Sequence, residues 1–376
     1  SLESWQQAQQ GRFELVRLPQ RVLNRPLPDV ATIDLRNEQQ TRGSSGAIGR
    51  QMHQEIQRAL RDAGQVILLL NRRGFSTSIQ CPQCGHVVKC DDCDIALTHH
   101  REKDHVRCHY CDYQATAPAR CPECQFDAIR YAGLGTQKLE AEVRRRFPEV
   151  SVLRMDSDSM QRPGSHEQAL ARFRAGAVQI LVGTQMIAKG LDFPNVTLVG
   201  VINADTALHF PDFRAAERTF QLVTQVAGRT GRGDKGGRVL VQTFSPEHPA
   251  IQAATRHDYH AFADTELPIR QQFAYPPFGR MIRLVMQGPQ EKTTEIFSEQ
   301  LSDQLTAAIT ESAETVRLLG PAPAPISKLR GRFRFHLLLQ AASGKILRSL
   351  VAATLQDIKC PGDLQLMIDV DPLSLL

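Results

Sequence analysis

Eight of the nine cysteines fall between residues 81 and 124, as four C-x-x-C pairs: Cys81 and Cys84, Cys90 and Cys93, Cys108 and Cys111, Cys121 and Cys124. Eight thiolates suffice for two tetrahedral zinc ions, and no vacant ligand position is implied, so a structural role is expected. Clustered pairs in a chain with no export signal favour zinc thiolates over disulfides. The segment from Ile95 to Arg107 is long enough for a strand, a turn and a strand. This spacing favours a nested arrangement, with Cys90, Cys93, Cys108 and Cys111 as the inner site and Cys81, Cys84, Cys121 and Cys124 as the outer one. A cross-braced pairing of the first pair with the third remains open. His86, His99, His100, His105 and His109 could each replace a thiolate, but eight cysteines already fill both sites. Cys360 stands alone and reads as a small buried apolar residue.

A second constellation, Gln225-Val226-Ala227-Gly228-Arg229-Thr230-Gly231-Arg232, offers one amide and two guanidiniums three and four residues apart at a helix end. Positions three and four apart share a helix face. Three such donors can converge on a polyphosphate, whose oxygens suit the planar fork of arginine. Arginines so placed can stabilise charge on a transferring phosphoryl group. A basic helix C-terminus stopped by glycine has the same appearance. Between two apolar strands lies Gly183-Thr184-Gln185-Met186-Ile187-Ala188-Lys189-Gly190-Leu191-Asp192. Here Gly183 and Gly190 permit close backbone approach, Thr184 can donate to a phosphate, and Lys189 adds a point charge. Asp192 can accept from a ribose hydroxyl or orient an arginine. Asn203-Ala204-Asp205 reads as a cap for the segment after it. Finally, Lys328-Leu329-Arg330-Gly331-Arg332-Phe333-Arg334-Phe335-His336 alternates strictly. In one strand Lys328, Arg330, Arg332, Arg334 and His336 would share a face able to neutralise phosphates.

These residues need a scaffold. Val66 to Leu70 is a continuous apolar run, as in a strand buried on both faces. Around it the pattern predicts helices at 48–61, 136–147, 166–174 and 213–224, and strands at 152–155, 178–182, 196–202 and 238–244. Alternating strands and helices imply right-handed crossovers and a parallel sheet covered on both sides. Ligands then belong beyond the carboxyl ends of the strands. Before this region the chain reads as a helix (2–10), extended pieces (13–18 and 30–35) and a polar linker. A helical stretch follows from 246 to 270, and Tyr275-Pro276-Pro277-Phe278-Gly279 marks a boundary. After it come strands at 281–286, 316–319, 332–339 and 364–370 and helices at 291–310 and 345–358, with a proline-rich turn before residue 332. This is a small α+β domain.

The 376 residues suit two or three domains. Their 41% hydrophobic and 23% charged content suits a soluble globular protein. The net charge of +5 is compatible with an acidic polymer as partner. No apolar run approaches the roughly 20 residues of a membrane span. Ser1-Leu2-Glu3-Ser4-Trp5 lacks a basic n-region, an apolar h-region and an initiating Met, so a fragment of a longer protein is expected.

Several motifs together carry a family resemblance. Ile180 to Asp192 resembles motif V, and Gln225 to Arg232 motif VI, of superfamily-two helicases. With Leu69-Leu70-Asn71-Arg72-Arg73-Gly74-Phe75 and the four inserted C-x-x-C pairs, they resemble the PriA (primosomal protein N′) family of bacterial replication-restart helicases. Ser1 to Trp5 resembles the stretch after that family's motif III. The Pro-Pro-Phe break and Asp369-Val370-Asp371-Pro372 resemble its C-terminal domain. The resemblance implies an α/β fold: a RecA-like second helicase lobe, with a two-zinc cysteine-rich insertion and an α+β C-terminal domain. It divides the chain into the end of a first lobe and a linker (1–50), the start of the second lobe (51–80), the zinc insertion (81–124), the rest of the lobe (125–272) and a DNA- and partner-binding domain (273–376).

The resemblance further implies catalytic Arg229 and Arg232, the latter as arginine finger. Gln225, Gly228 and Asp192 would lie at the nucleotide. Thr184, Gln185, Lys189, Arg72, Arg73, Arg330, Arg332 and Arg334 would lie at nucleic acid. Two structural Zn2+ and ATP with Mg2+ are the implied cofactors. Single-stranded and forked DNA, single-stranded DNA-binding protein and primosome components are the implied partners, in the cytoplasm, with no membrane. The intact protein would be an ATP-dependent 3′–5′ DNA helicase that recognises stalled or forked replication DNA and starts primosome assembly. The chain has no G-x-x-x-x-G-K-[ST] loop and no Asp-Glu motif II. It is therefore expected to be inactive as an ATPase alone. The alternative is a non-catalytic, zinc-dependent fork-binding and primosome-loading module.

Overall fold

In the computed structural model the described residues are all except 18–26, 40–45, 71–77, 101–104, 128–129, 132–134, 157–158, 161–163, 185–186, 188–192, 229–235, 313, 357 and 376. The chain opens with α1 (Leu2–Gln9), β1 (Asp29–Asp34), α2 (Leu35–Gln39), α3 (Arg50–Arg61) and β2 (Gln65–Leu69). The cysteine-rich stretch supplies short strands β3 (Ile79–Gln80), β4 (Lys89–Cys90), β5 (Ile95–Ala96), β6 (Thr98–His100), β7 (His105–Arg107), β8 (Gln114–Thr116) and β9 (Arg130–Tyr131). Next come α4 (Thr136–Arg146), β10 (Val152–Met155), α5 (Ser165–Arg174), β11 (Ile180–Gly183), β12 (Val196–Val201), α6 (Asp205–Leu208), α7 (Ala215–Ala227) and β13 (Arg238–Thr243). The chain continues through α8 (Pro249–Thr255), α9 (Tyr259–Gln272), β14 (Arg280–Gly288), α10 (Glu291–Glu311), β15 (Arg317–Leu329), β16 (Arg332–Ala341), α11 (Gly344–Gln356) and β17 (Gln365–Val370).

Six strands form one sheet in the order β1-β13-β12-β2-β11-β10, every neighbouring pair parallel. Side-chain alternation along each strand feeds two cores. From β2, Ile67 and Leu69 pack with Phe173, Phe220, Val223 and Phe262 of α5, α7 and α9. Val66 and Leu68 point the other way, to Met52 and Ile56 of α3 and Leu139 and Val143 of α4. Burial on both faces is why β2 reads as an unbroken apolar run.

Residues 1–50, expected as the end of a preceding lobe and a linker, supply the edge strand of this sheet, because β1 pairs with β13 from Asp29–Arg238 to Asp34–Thr243. Leu2 of α1 is also fully buried in the same core. The extended piece expected at 13–18 forms no strand among its described residues. The stretch expected as one helical run is two helices, broken where His257 takes φ 55°.

The C-terminal part is a four-stranded antiparallel sheet, β15-β16-β14-β17. One face packs on α10 and α11 through Ile282, Leu284, Phe335 and Leu337. The prolines expected in a turn lie inside β15, an edge strand, where a missing N–H costs no internal ladder bond. The hairpin turn sits later, at Arg330 and Gly331, both with positive φ (50° and 80°), as a two-residue primed turn requires. Cys360, expected to be buried, is exposed.

Candidate metal centres and strand-end site

The four C-x-x-C pairs fold as one knuckle repeated. In each, the residue after the second cysteine donates its N–H to the carbonyl of the first: Gly85 to Cys81 (2.9 Å), Asp94 to Cys90 (2.8 Å), Asp112 to Cys108 (3.1 Å) and Gln125 to Cys121 (2.9 Å). All four donors have positive φ. Only Gly85 reaches that region without a side-chain penalty. The other three are therefore strained by about 1–2 kcal/mol each. Strain of this kind persists when something stronger fixes the turn, and metal–thiolate bonds are strong enough.

Two groups of four sulfur atoms result, Cys81 with Cys84, Cys121 and Cys124, and Cys90 with Cys93, Cys108 and Cys111; within each group all lie within 4.8 Å of one another. The nested pairing thus replaces the cross-braced alternative. The Sγ–Sγ distances Cys81–Cys124, Cys84–Cys121 and Cys90–Cys111 are each 3.6 Å. A tetrahedron with Zn–S bonds of about 2.3 Å has edges of about 3.8 Å, whereas a disulfide needs about 2.05 Å. The thiols therefore fit two zinc ions. The five nearby histidines join neither group. His100 and His105 instead stack on each other, with centroids 5.0 Å apart.

The insertion is anchored on both sides. At its base, β3 pairs with β9. Gln80 of β3 donates to the Asp205 carboxylate (2.8 Å), which also accepts from Ser245 Oγ (3.0 Å) and the Phe244 N–H (2.9 Å). Burial alone would raise the Asp205 carboxyl; hydrogen bonds from His209 and Gln80 and the Phe244 N–H hold it below the usual carboxylate range. Asn203 caps as expected, accepting from the Thr206 N–H at 3.2 Å. Asp205 does more, tying the insertion to the carboxyl ends of β12 and β13. The sequence carried no signal for that, because Gln80 is 125 positions away.

The second face of the C-terminal sheet also meets the insertion. His109 donates from Nδ1 to the Pro323 carbonyl (2.7 Å), and His336 donates from Nε2 to the His109 carbonyl. Arg283 Nε donates to His336 Nδ1 (3.1 Å). The strand expected as a basic, phosphate-facing surface therefore needs correction. The turn at Arg330 splits it between β15 and β16, and Arg334 and His336 point into this interface at 7% and 0% exposure. Arg332 is half-buried and donates to the Gln287 and Asp363 carbonyls (3.2 and 2.7 Å). Lys328 and Arg330 stay exposed at the hairpin. The alternation was real, but it could not reveal which face was covered.

Burial, reinforced by Arg283, depresses the His336 imidazole well below its ordinary value. The folded state keeps His336 neutral, while the unfolded chain takes up a proton below pH about 6.5. This stability contribution is thus present above that pH and is lost as pH falls through it. Denaturant midpoints should fall between pH 7 and 5, and His336→Gln, which keeps an N–H donor, should flatten that slope.

At the carboxyl end of β11, a Cβ on Gly183 would lie 2.2 Å from the Met155 carbonyl oxygen and 2.4 Å from Ile187 Cδ1. Gly183 is glycine because the backbones meet there. Gly183→Ala should destabilise the fold by about 1–3 kcal/mol, as overpacking does, read as a lower urea midpoint with unchanged m. The Thr184 N–H follows, directed at the Met155 carbonyl (3.4 Å), and the connection to β12 is pinned by buried Ile187 and Phe193.

α7 must run back from the carboxyl end of β12 to the start of β13. Gln225, exposed in its last turn, and Gly228, its cap, therefore lie toward the amino ends of the strands, away from Thr184. Gly228 is right-handed (φ −65°), so no left-handed glycine stop is used. Arg229, Arg232, Gln185, Lys189, Asp192, Arg72 and Arg73 lie outside the described residues.

Comparison with known proteins fits these parts. Residues 90–115 match the PriA DNA helicase Cys-rich region, 129–234 the helicase conserved C-terminal domain, and 271–373 the primosomal protein N C-terminal domain. The whole chain aligns with the replication restart protein PriA of Bacillus subtilis at 38% identity, covering 47% of that protein. It aligns likewise with the PriA proteins of Synechocystis (41%, covering 45%) and Haemophilus influenzae (38%, covering 50%). The chain thus spans about half the length of these curated relatives. The chain is thus similar over its whole length to replication restart proteins PriA, with the Cys-rich region, the helicase C-terminal domain and the primosomal protein N C-terminal domain matched along it in that order.

Proposed function

We propose that this chain is the second motor lobe, zinc insertion and C-terminal domain of an ATP-dependent 3′–5′ DNA helicase. In the cytoplasm this helicase would recognise forked replication DNA and initiate primosome assembly. The observation that carries the reading is the match of the whole chain to about half the length of replication restart proteins, with two four-thiolate centres set between β2 and α4. The carboxyl ends of the strands, with Thr184 and Gln185, Lys189, Arg72 and Arg73 in the connecting segments, form the DNA side. The end of α7, with Gln225, Gly228, Arg229 and Arg232, forms the nucleotide side together with Asp192. When bound with Mg2+, ATP supplies the phosphoryl group whose hydrolysis drives movement. The residues of this chain would orient it and stabilise developing charge, while the phosphate loop would come from the rest of the protein. Single-stranded DNA-binding protein and primosome components are the expected partners, and Arg330 at its exposed hairpin is the remaining candidate for DNA contact on the C-terminal domain.

The test compares fork unwinding and DNA-stimulated ATP hydrolysis by this chain and by the full-length protein. Activity in the full-length protein only supports the reading. Robust turnover by this chain alone overturns the half-site assignment. Fork binding without any nucleotide effect, in either form, moves the assignment to a loading module.

A further inference from the structure

The turn Asp212-Phe213-Arg214 immediately precedes α7, the helix whose far end carries Gln225 and Gly228. Three otherwise separate parts of the chain converge on it. From the zinc insertion, Tyr110, fully buried between Cys108 and Cys111, accepts the Phe213 N–H on its hydroxyl (3.1 Å). From the C-terminal tail, the Leu375 N–H donates to Asp212 Oδ2 (3.3 Å), and the Pro372 carbonyl accepts from Arg214 Nη1 (2.8 Å). From α1, Glu3 accepts from Arg214 Nη2 (2.7 Å). The Phe213 ring stacks on Tyr275 at the domain boundary, with centroids 4.8 Å apart, and Tyr275 donates its hydroxyl to the Cys93 carbonyl (3.0 Å).

The turn is also bonded into α7 itself. Asp212 Oδ2 accepts from Arg218 Nη1 (2.9 Å), one turn into the helix. Beside it, a cavity of about 120 Å³ separates Lys89, Asp94 and Ile95 of the insertion from Leu208, Phe262 and Ile269 of the lobe. The turn itself is packed, because Phe213 shares a buried cluster with Ile95 and Tyr110 of the insertion and Tyr275 and Leu375 of the C-terminal part. Close-packed interiors transmit strain, and the directional hydrogen bonds fix how the turn is oriented on its neighbours. A shift of the insertion or of the tail thus reaches α7 through this turn.

We propose that Asp212-Phe213-Arg214 is a positioning element that couples the zinc insertion and the C-terminal domain to α7. Through it, fork engagement by those parts sets the rate of ATP hydrolysis. The proposal rests on the helicase reading above. It assigns the turn no contact with nucleotide or DNA, and its effect is on the response to DNA rather than on DNA affinity.

The test uses the full-length protein with Tyr110→Phe, which removes one hydroxyl, and Asp212→Asn, which removes one charge. Zinc content, fork affinity, DNA-free ATPase and fork-stimulated ATPase are measured for each variant and for the double variant. Fork stimulation should fall by about tenfold in each single variant, as expected when one buried donor loses its partner. DNA-free turnover, fork affinity and zinc content should stay unchanged, and the double variant should fall no further than the worse single one. Full stimulation in both single variants overturns the proposal. So does an equal fall in DNA-free and stimulated turnover, which marks general damage. If the unmodified full-length protein shows no fork-stimulated ATPase, the helicase reading itself fails; retained stimulation in the variants sinks the coupling alone.

Discussion

Removing zinc with a strong chelator should unfold the cysteine-rich insertion while the six-stranded sheet persists. The insertion has little regular structure of its own: its strands run only two or three residues, and Cys90, Cys93 and Cys108 are part of its small core with Ile95, Leu97, Val106 and Tyr110. Metal binding to such structural sites is worth about 10–16 kcal/mol, which here is folding free energy. Without metal, eight thiols and three strained left-handed residues have nothing to converge on. The second consequence lies outside the insertion. Loss of Tyr110 and His109 would uncover the inner face of the C-terminal sheet, with buried Leu338, Met281 and Arg283. Release of two zinc ions per chain, with protease cuts confined to the insertion and its C-terminal interface, is the expected result. An insertion that stays protease-resistant after complete metal release would show that packing, not metal, holds it.

Arg232→Ala in the full-length protein should lower fork-stimulated ATP hydrolysis by a factor of about 10³ to 10⁵, the range for loss of an arginine finger. Fork affinity should be nearly unchanged, because the end of α7 and Thr184 lie toward opposite ends of the strands. The physical argument is charge: a guanidinium forked onto a phosphoryl group is worth more as negative charge builds in the transition state than in the ground state. The loss should therefore appear in kcat rather than KM. Arg232→Lys should recover little, since an ammonium cannot reproduce the bidentate geometry. A tenfold or smaller loss would move the finger role to Arg229, and an equal loss of fork binding would contradict the separation of the two ends.

Much of the frame could be read from residue order because local pattern and local structure agree. Val152 to Met155 alternates into two cores and is a strand with those bounds. The cysteine pairs carry their own spacing, which favoured the nested sites but left the cross-braced pairing open until the sulfur positions decided it. What escaped was non-local. The pairing of β1 with β13 joins residues about two hundred positions apart, and nothing in Asp29 to Asp34 announces its partner. The fate of Arg334 and His336 depended on which part of the chain would cover their face. Asp205 and the Asp212 turn are short polar stretches whose partners come from the insertion, the tail and α1, so no single motif marks them.

The pairing of β3 with β9 brings the two ends of the zinc insertion side by side, Ile79 against Tyr131. The chain leaves the sheet and returns to it through one doorway. Such an arrangement lets a whole module be gained or lost in evolution without rethreading its host, since a short turn could close the same gap. The lobe would then keep its six strands and its direct bonds to the tail at Asp212 and Arg214, and lose the contacts that run through His109 and Tyr110. Tyr110 and Gln80 are the stitches that hold the module to its host.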